Sequence, residues 1–330
     1  MSQVSRRQFL VASTALVIEP IDSEAQESVK VYRIGWLTGG SPISHAALLE
    51  AFRRGLKERG WIEGRNIVLE LRWAEGNLER LPSLAADLVR QKPDVILTAA
   101  NVVHLAVRKE TRTIPIVMAT GADPVEAGLA ESLARPGGNV TGLSGFFEAT
   151  PIKMLELISA LVSPGARVSM LVDANTIFTR SHNRGQVERA AESVGLRTEY
   201  VEVATPQDTA RALAALKKNP PNALVVLPGS MFFALAADIV RDTELLKVPV
   251  IYPFENMVEA GGLISYSAPL AESYYRAASY VDRILKGARP GELPIEQPTR
   301  LALTMNLKTA KTLGIKVPPE ILLRADRVIE

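Results

Sequence analysis

Apolar residues along this chain follow two alternating rhythms. Short dense runs at 31–37, 67–73, 95–99 and 116–119 have the length and β-branched content of buried strands. Between them, apolar positions recur every three or four residues. Leu48, Phe52 and Leu56 put one stripe on a helix that ends at Gly60, and similar patterns cover 78–88 and 102–109. The second half repeats the scheme, with helices expected over 151–161, 180–194, 206–217 and 230–246 and strands over 167–173, 198–203, 223–227 and 249–252. Strands separated by helical patterns of about ten to fifteen residues imply βαβ units and parallel sheets. The predicted architecture is therefore α/β and two-lobed, each lobe an open parallel sheet flanked by helices, joined by three crossing segments.

The stretch 121–147 stands between the halves. Asp123-Pro124 reads as a turn with an N-cap-type carboxylate ahead of an apolar segment, 125–133, which Pro136, Gly137 and Gly138 stop. The following Val140–Gly145 piece, with its glycine joints, is expected to be the first crossing, placing hinge residues at Gly142 and Leu143. A second crossing is expected over 261–267, with Ser265 in its hinge, and a third near 299–304.

Length and charge narrow the class. A chain of 330 residues suits two domains, and 47% hydrophobic content argues against disorder. The absence of cysteine removes disulfides and thiolate metal sites and is compatible with an oxidising compartment. A net charge of +2 carries no nucleic-acid footprint. At the start, Arg6-Arg7 precedes an apolar run over 9–18, and Ser23-Glu24-Ala25 offers a small-x-small cleavage site. These are the parts of a twin-arginine signal peptide, cleaved near Ala25. The run is too short to be a stable membrane span. Loss of residues 1–25 would leave a charge of +3.

In open parallel sheets, ligands lie beyond the carboxyl ends of the strands. The corresponding loops offer Ser41, Ser44, Ala100, Asn101, Thr120, Gly121 and Asp123 from one lobe, and the first crossing adds Ser144. Asn175, Phe178, Ser230, Glu255 and Tyr266 come from the other. Amides at helix starts favour a ligand carboxylate. Asp123 or Glu255 would suit an ammonium, and Phe178, Phe232 or Tyr266 an apolar group. His45, His104 and His182 lack metal-site spacing, and neither a nucleophile elbow nor a phosphate loop occurs. No catalytic residues, metal or cofactor are expected.

The segment DPVEAGLAESLARPGGNVTGLS (123–144) resembles a motif of one family of ABC-transporter substrate-binding proteins, typified by tryptophan-binding lipoproteins. The resemblance continues through EAGGLISYS (259–267), RILKGARPGELP (283–294), NLKTAKTLG (306–314) and LLRADRVIE (322–330). It implies a type I periplasmic-binding fold, with the helix 270–286 returning to the first lobe and the tail packing on the second. The division that follows is 26–142 plus 268–300 for lobe 1 and 143–267 plus 301–330 for lobe 2. The family implies a periplasmic, monomeric receptor that binds a small molecule, an amino acid or related carboxylate, and partners an inner-membrane ABC permease. Three other readings stay open: a ligand sensor for a membrane receptor, a sugar-repressor-type regulator, and an enzyme on a flavodoxin-like scaffold.

Overall fold

The computed structural model describes residues 30–145, 149–176, 181–298 and 300–330; Arg6, Arg7, the Ala25 cleavage point and Phe178 lie outside the described residues. The first sheet contains β1 (Tyr32–Thr38), β2 (Ile67–Trp73), β3 (Val95–Ala99), β4 (Ile116–Thr120) and β5 (Val140–Gly142). They are all parallel, in the order β2-β1-β3-β4-β5. Helices α1 (Ala46–Glu58), α2 (Leu81–Arg90) and α3 (Asn101–Glu110) connect them. Pro82 in the first turn of α2 explains why the pattern that begins at Leu78 forms a 3-10 turn before the α-helix starts, since proline supplies no N–H for a longer ladder.

The second half holds α4 (Ala149–Ser159), β6 (Arg167–Asp173), α5 (Ser181–Ser193), β7 (Arg197–Val203), α6 (Pro206–Lys218) and β8 (Ala223–Val226). Then follow α7 (Ser230–Ala234), α8 (Ala236–Glu244), β9 (Val250–Tyr252), α9 (Glu255–Glu259) and β10 (Ile264–Ser267). After α10 (Leu270–Leu285) come β11 (Ala302–Asn306), α11 (Leu307–Thr312), α12 (Pro319–Arg324) and β12 (Arg327–Ile329). The seven-stranded sheet runs β12-β11-β10-β9-β8-β6-β7. It is parallel except where β11 meets β10 antiparallel. Counted from its own first strand, each lobe winds in the order 2-1-3-4-5, so each has its topological switch point between its first and third strands.

The Leu48, Phe52 and Leu56 stripe of α1 is buried against Tyr274, Ala277, Ala278 and Val281 of α10. Phe52 alone, fully buried, contributes about 1.5–3 kcal/mol. The two helices approach so closely that a Cβ on Gly55 would lie 2.6 Å from the Tyr275 carbonyl oxygen. Thus α10 rejoins the first lobe after the chain has built most of the second.

Several expectations change. Segment 125–133 forms turns rather than a helix, because Gly128 takes a positive φ of 69° after a single turn capped by Asp123. The expected helix over 230–246 breaks at Leu235 into α7 and α8. The expected hinge residues Gly142, Leu143 and Ser265 are all held in sheet hydrogen bonding. Gly142 pairs with Met118 and accepts from Glu296, Leu143 donates to the Met118 carbonyl, and Ser265 sits inside β10 opposite Tyr252 and Thr304. The second passage between lobes therefore follows Ser267, at Ala268-Pro269.

Candidate functional site

Both switch points open onto one cleft between the lobes, with about 280 Å³ of internal space. Its lobe 1 wall begins after β1. Thr38 and Ser44 hold the buried His45 ring through Oγ1 to Nε2 (2.7 Å) and Oγ to Nδ1 (3.0 Å). Gly40 makes that position possible, because a Cβ there would fall 2.1 Å from the ring. With both nitrogens engaged, His45 presents carbon edges and faces. Burial lowers its pKa from 6.5 to about 3, so the ring is neutral.

After β3 the chain turns sharply at Ala100, whose φ of 70° and ψ of 142° are unfavourable for a residue with a Cβ. The turn delivers Asn101 to the first position of α3, a helix start with no side-chain cap. Asn101 Oδ1 accepts from the Ala122 amide at 2.8 Å, while its Nδ2 is buried without a partner. The loop after β4 is fixed from behind by His104. Its Nε2 donates to the Thr120 carbonyl (2.9 Å) and its Nδ1 accepts from Thr98 Oγ1 (2.7 Å). Burial lowers the His104 pKa from 6.5 to about 4. Gly121 fits only as glycine, since a Cβ would lie 2.6 Å from His104 Nε2 and 2.8 Å from Asn101 Oδ1. Beside it, Ser144 Oγ is also buried and unpartnered, and the Gly145 amide ties to the Gly121 carbonyl.

Lobe 2 supplies Asn175 and Thr176 after β6, Gly229 and Ser230 after β8, and the rings of Phe233 and Phe254. Asp173 lies just beneath, accepting from the Asn175 amide and side chain through Oδ1. Burial raises its pKa against the lowering effect of those bonds and of the Met231 amide. The lobes touch across the cleft, with the His45 and Phe233 rings edge-on at 4.7 Å between centroids, and within lobe 2 Phe233 packs against Phe254 at 5.1 Å. The cleft thus has a polar end, at the β3, β4 and β5 termini, and an aromatic end near β1 and α10.

Comparison with known proteins fits this architecture. The profile of the family described as "ABC transporter substrate binding protein" matches residues 40–329. The chain belongs to that family. Its members are substrate-binding proteins rather than enzymes. A curated relative, a tyrosine-binding protein of Clostridioides difficile (strain R20291), is 24% identical over 300 residues, covering 89% of this chain and 83% of the relative. The structure is similar to that of a Streptococcus pneumonia ABC domain in complex with L-Trp, with a TM-score of 0.82 and 25% identity, covering 91% of this chain and all of the other. A Vibrio cholerae conserved domain protein gives the same TM-score, identity and coverage.

Of the residues proposed from sequence, Ala100, Asn101, Thr120, Gly121, Asp123, Asn175 and Ser230 line the cleft. Ser41 and Ser44 are not in the lining, being spent on each other and on holding His45. Ser144 stands one residue before the lining Gly145. Glu255 is turned to Arg327, at 2.8 Å, and Tyr266 packs against the core of the second sheet. Phe232 is fully buried, and the neighbouring Phe233 faces the cleft instead. His45, Leu270, Tyr274, Phe254 and Gln297 went unread from sequence. His45 and Phe254 follow strands β1 and β9 in rim loops and were within reach of the strand-end rule. Leu270, Tyr274 and Gln297 come from the returning segment, where no local pattern marks a ligand wall.

Proposed function

We propose that this protein is an exported receptor that captures an amino acid, or a close zwitterionic relative with a ring side chain, and delivers it to an inner-membrane ABC permease. The observation that carries this reading is the division of one cleft into two chemical ends. Asn101 Nδ2, Ser144 Oγ and the uncapped start of α3 stand at one end as free partners for a carboxylate. Asp123 uses Oδ1 on the amides of Val125 and Glu126, and its carboxylate lines the cleft where an ammonium would sit. At the other end, Leu48, Phe233, Phe254, Leu270 and Tyr274 offer apolar surface. A volume of about 280 Å³ suits one molecule of amino-acid size. The ligands named for the tyrosine-binding relative and the L-Trp complex support the same class.

In this reading the protein works as a periplasmic monomer, with lobes following 26–142 plus 268–300 and 143–267 plus 301–330. The test is a thermal-shift screen of the ligand-free protein against the common amino acids, sugars and aromatic acids. An aromatic amino acid at a hundredfold excess over Kd should raise Tm by roughly 5–10 °C. A shift with sugars and none with amino acids would refute the zwitterion reading. Export is tested separately: replacing Arg6 and Arg7 by Lys should hold the precursor in the cytoplasm, and unchanged periplasmic yield would exclude the twin-arginine route.

A further inference from the structure

The aromatic end of the cleft holds one polar atom that nothing yet described employs. Tyr274 lies in α10 with its ring 5.2 Å from that of Trp36 and edge-on to His45 at 6.5 Å. It is 2% exposed and lines the cleft. Its hydroxyl makes no hydrogen bond to any described residue. The other groups around it cannot serve: His45 has spent both nitrogens on Thr38 and Ser44, and Leu48, Phe233, Phe254 and Leu270 carry only carbon. Trp36 Nε1, close by, is also buried without a partner, but Trp36 is not in the cleft lining, so the Tyr274 hydroxyl is the uncommitted donor and acceptor that this end presents to the cleft. Burial pushes the Tyr274 pKa above its ordinary value, which keeps the phenol neutral.

We propose that the Tyr274 hydroxyl sets ligand preference by hydrogen-bonding a polar atom at the far end of the ligand's ring. A phenol or an indole is then bound more tightly than a plain phenyl. This rests on the zwitterion reading above, which places the ligand's charged groups at Asn101 and Asp123 and so sends its side chain toward β1 and α10. Binding closes water away from this end. A ligand with a bare phenyl leaves the hydroxyl buried and unpaired, at a loss of about tenfold to a hundredfold in affinity. The discrimination comes from the stranded partner rather than from size, since a hydrocarbon pocket alone separates such similar rings poorly.

The experiment is calorimetric titration of the full protein and its Tyr274→Phe variant with L-tyrosine, L-tryptophan and L-phenylalanine. Wild type should favour tyrosine or tryptophan over phenylalanine by at least about tenfold. Tyr274→Phe should bring that ratio within about threefold by weakening the polar ligand, while phenylalanine affinity stays the same or improves, which also shows that the variant's cleft is intact. A wild-type comparison of L-tyrosine with 4-methyl-L-phenylalanine, equal in size but without the hydroxyl, repeats the test without any variant. A wild-type ratio within threefold, or a ratio that survives Tyr274→Phe, overturns the proposal and leaves the zwitterion reading standing. Binding of none of these amino acids overturns both.

Discussion

The two lobes share one winding but build their rims differently. Lobe 1 presents its cleft surface through backbone held in costly or crowded geometry: Ala100 at φ 70°, Gly121 pressed against His104 and Asn101, and Gly142 at φ 123° with a Cβ position only 2.3 Å from the Met118 carbonyl oxygen. Buried imidazoles brace it from behind. Lobe 2 contributes fewer lining groups, mostly from loop ends and from the five-residue helix α7. Strain maintained by surrounding structure is a mark of preorganisation. Lobe 1 accordingly carries the preorganised wall of the cleft, and lobe 2 the wall with fewer lining groups.

That contrast can be broken most severely at Gly142. A Cβ there meets Met118 backbone at a φ that side chains avoid, so Gly142→Ala should cost about 3 kcal/mol or more of stability, read by denaturant unfolding. A milder loss confined to ligand-driven closure would restore Gly142 as a hinge.

Next comes a matched pair across the cleft. Asn101→Ala removes the free Nδ2 and the Ala122 tie, and should weaken an amino-acid ligand about 10- to 100-fold. Ser230→Ala on the facing lobe should cost less than about fivefold. Equal losses would mean that both lobes bind the ligand's charged groups.

Acid sharpens the comparison further. His45 and His104, both buried in lobe 1, have folded pKa values of about 3 and about 4 against 6.5. The unfolded chain thus binds more protons below about pH 6.5, so their stability contribution is complete above that value and declines as pH falls toward 4. By pH 5 each histidine should have lost about 2 kcal/mol. Hydrogen exchange should report lobe 1 amides losing protection before lobe 2 amides, and His104→Gln should flatten the dependence of Tm on pH between 7 and 5. A profile unchanged by that substitution would refute the role of His104.

The smallest effect concerns Glu255. Its partly exposed pairing with Arg327 is worth no more than about 1 kcal/mol, so Glu255→Gln should leave both ligand affinity and Tm nearly unchanged in calorimetry. A tenfold loss of affinity would return Glu255 to the site.

What the sequence determined by itself was most of the elements and the parallel sense of the sheets. Short dense apolar runs and period-3.6 stripes are local, and they mark β6 over Arg167–Asp173 and the α1 stripe without any knowledge of the partners. The strand-end rule also placed Asn101, Gly121 and Ser230 on the rim, because position in a parallel sheet decides it. Tertiary structure decided the rest. Packing of α7 buried Phe232 in a second-lobe core and left Phe233 lining the cleft. Packing of α10 back on α1 brought Tyr274 beside His45, more than two hundred residues away in the chain. An ion pair with Arg327 took Glu255 out of the cleft. Each of these depends on contacts between segments distant in sequence, and a local pattern of apolar and polar positions carries no record of which distant segment will arrive.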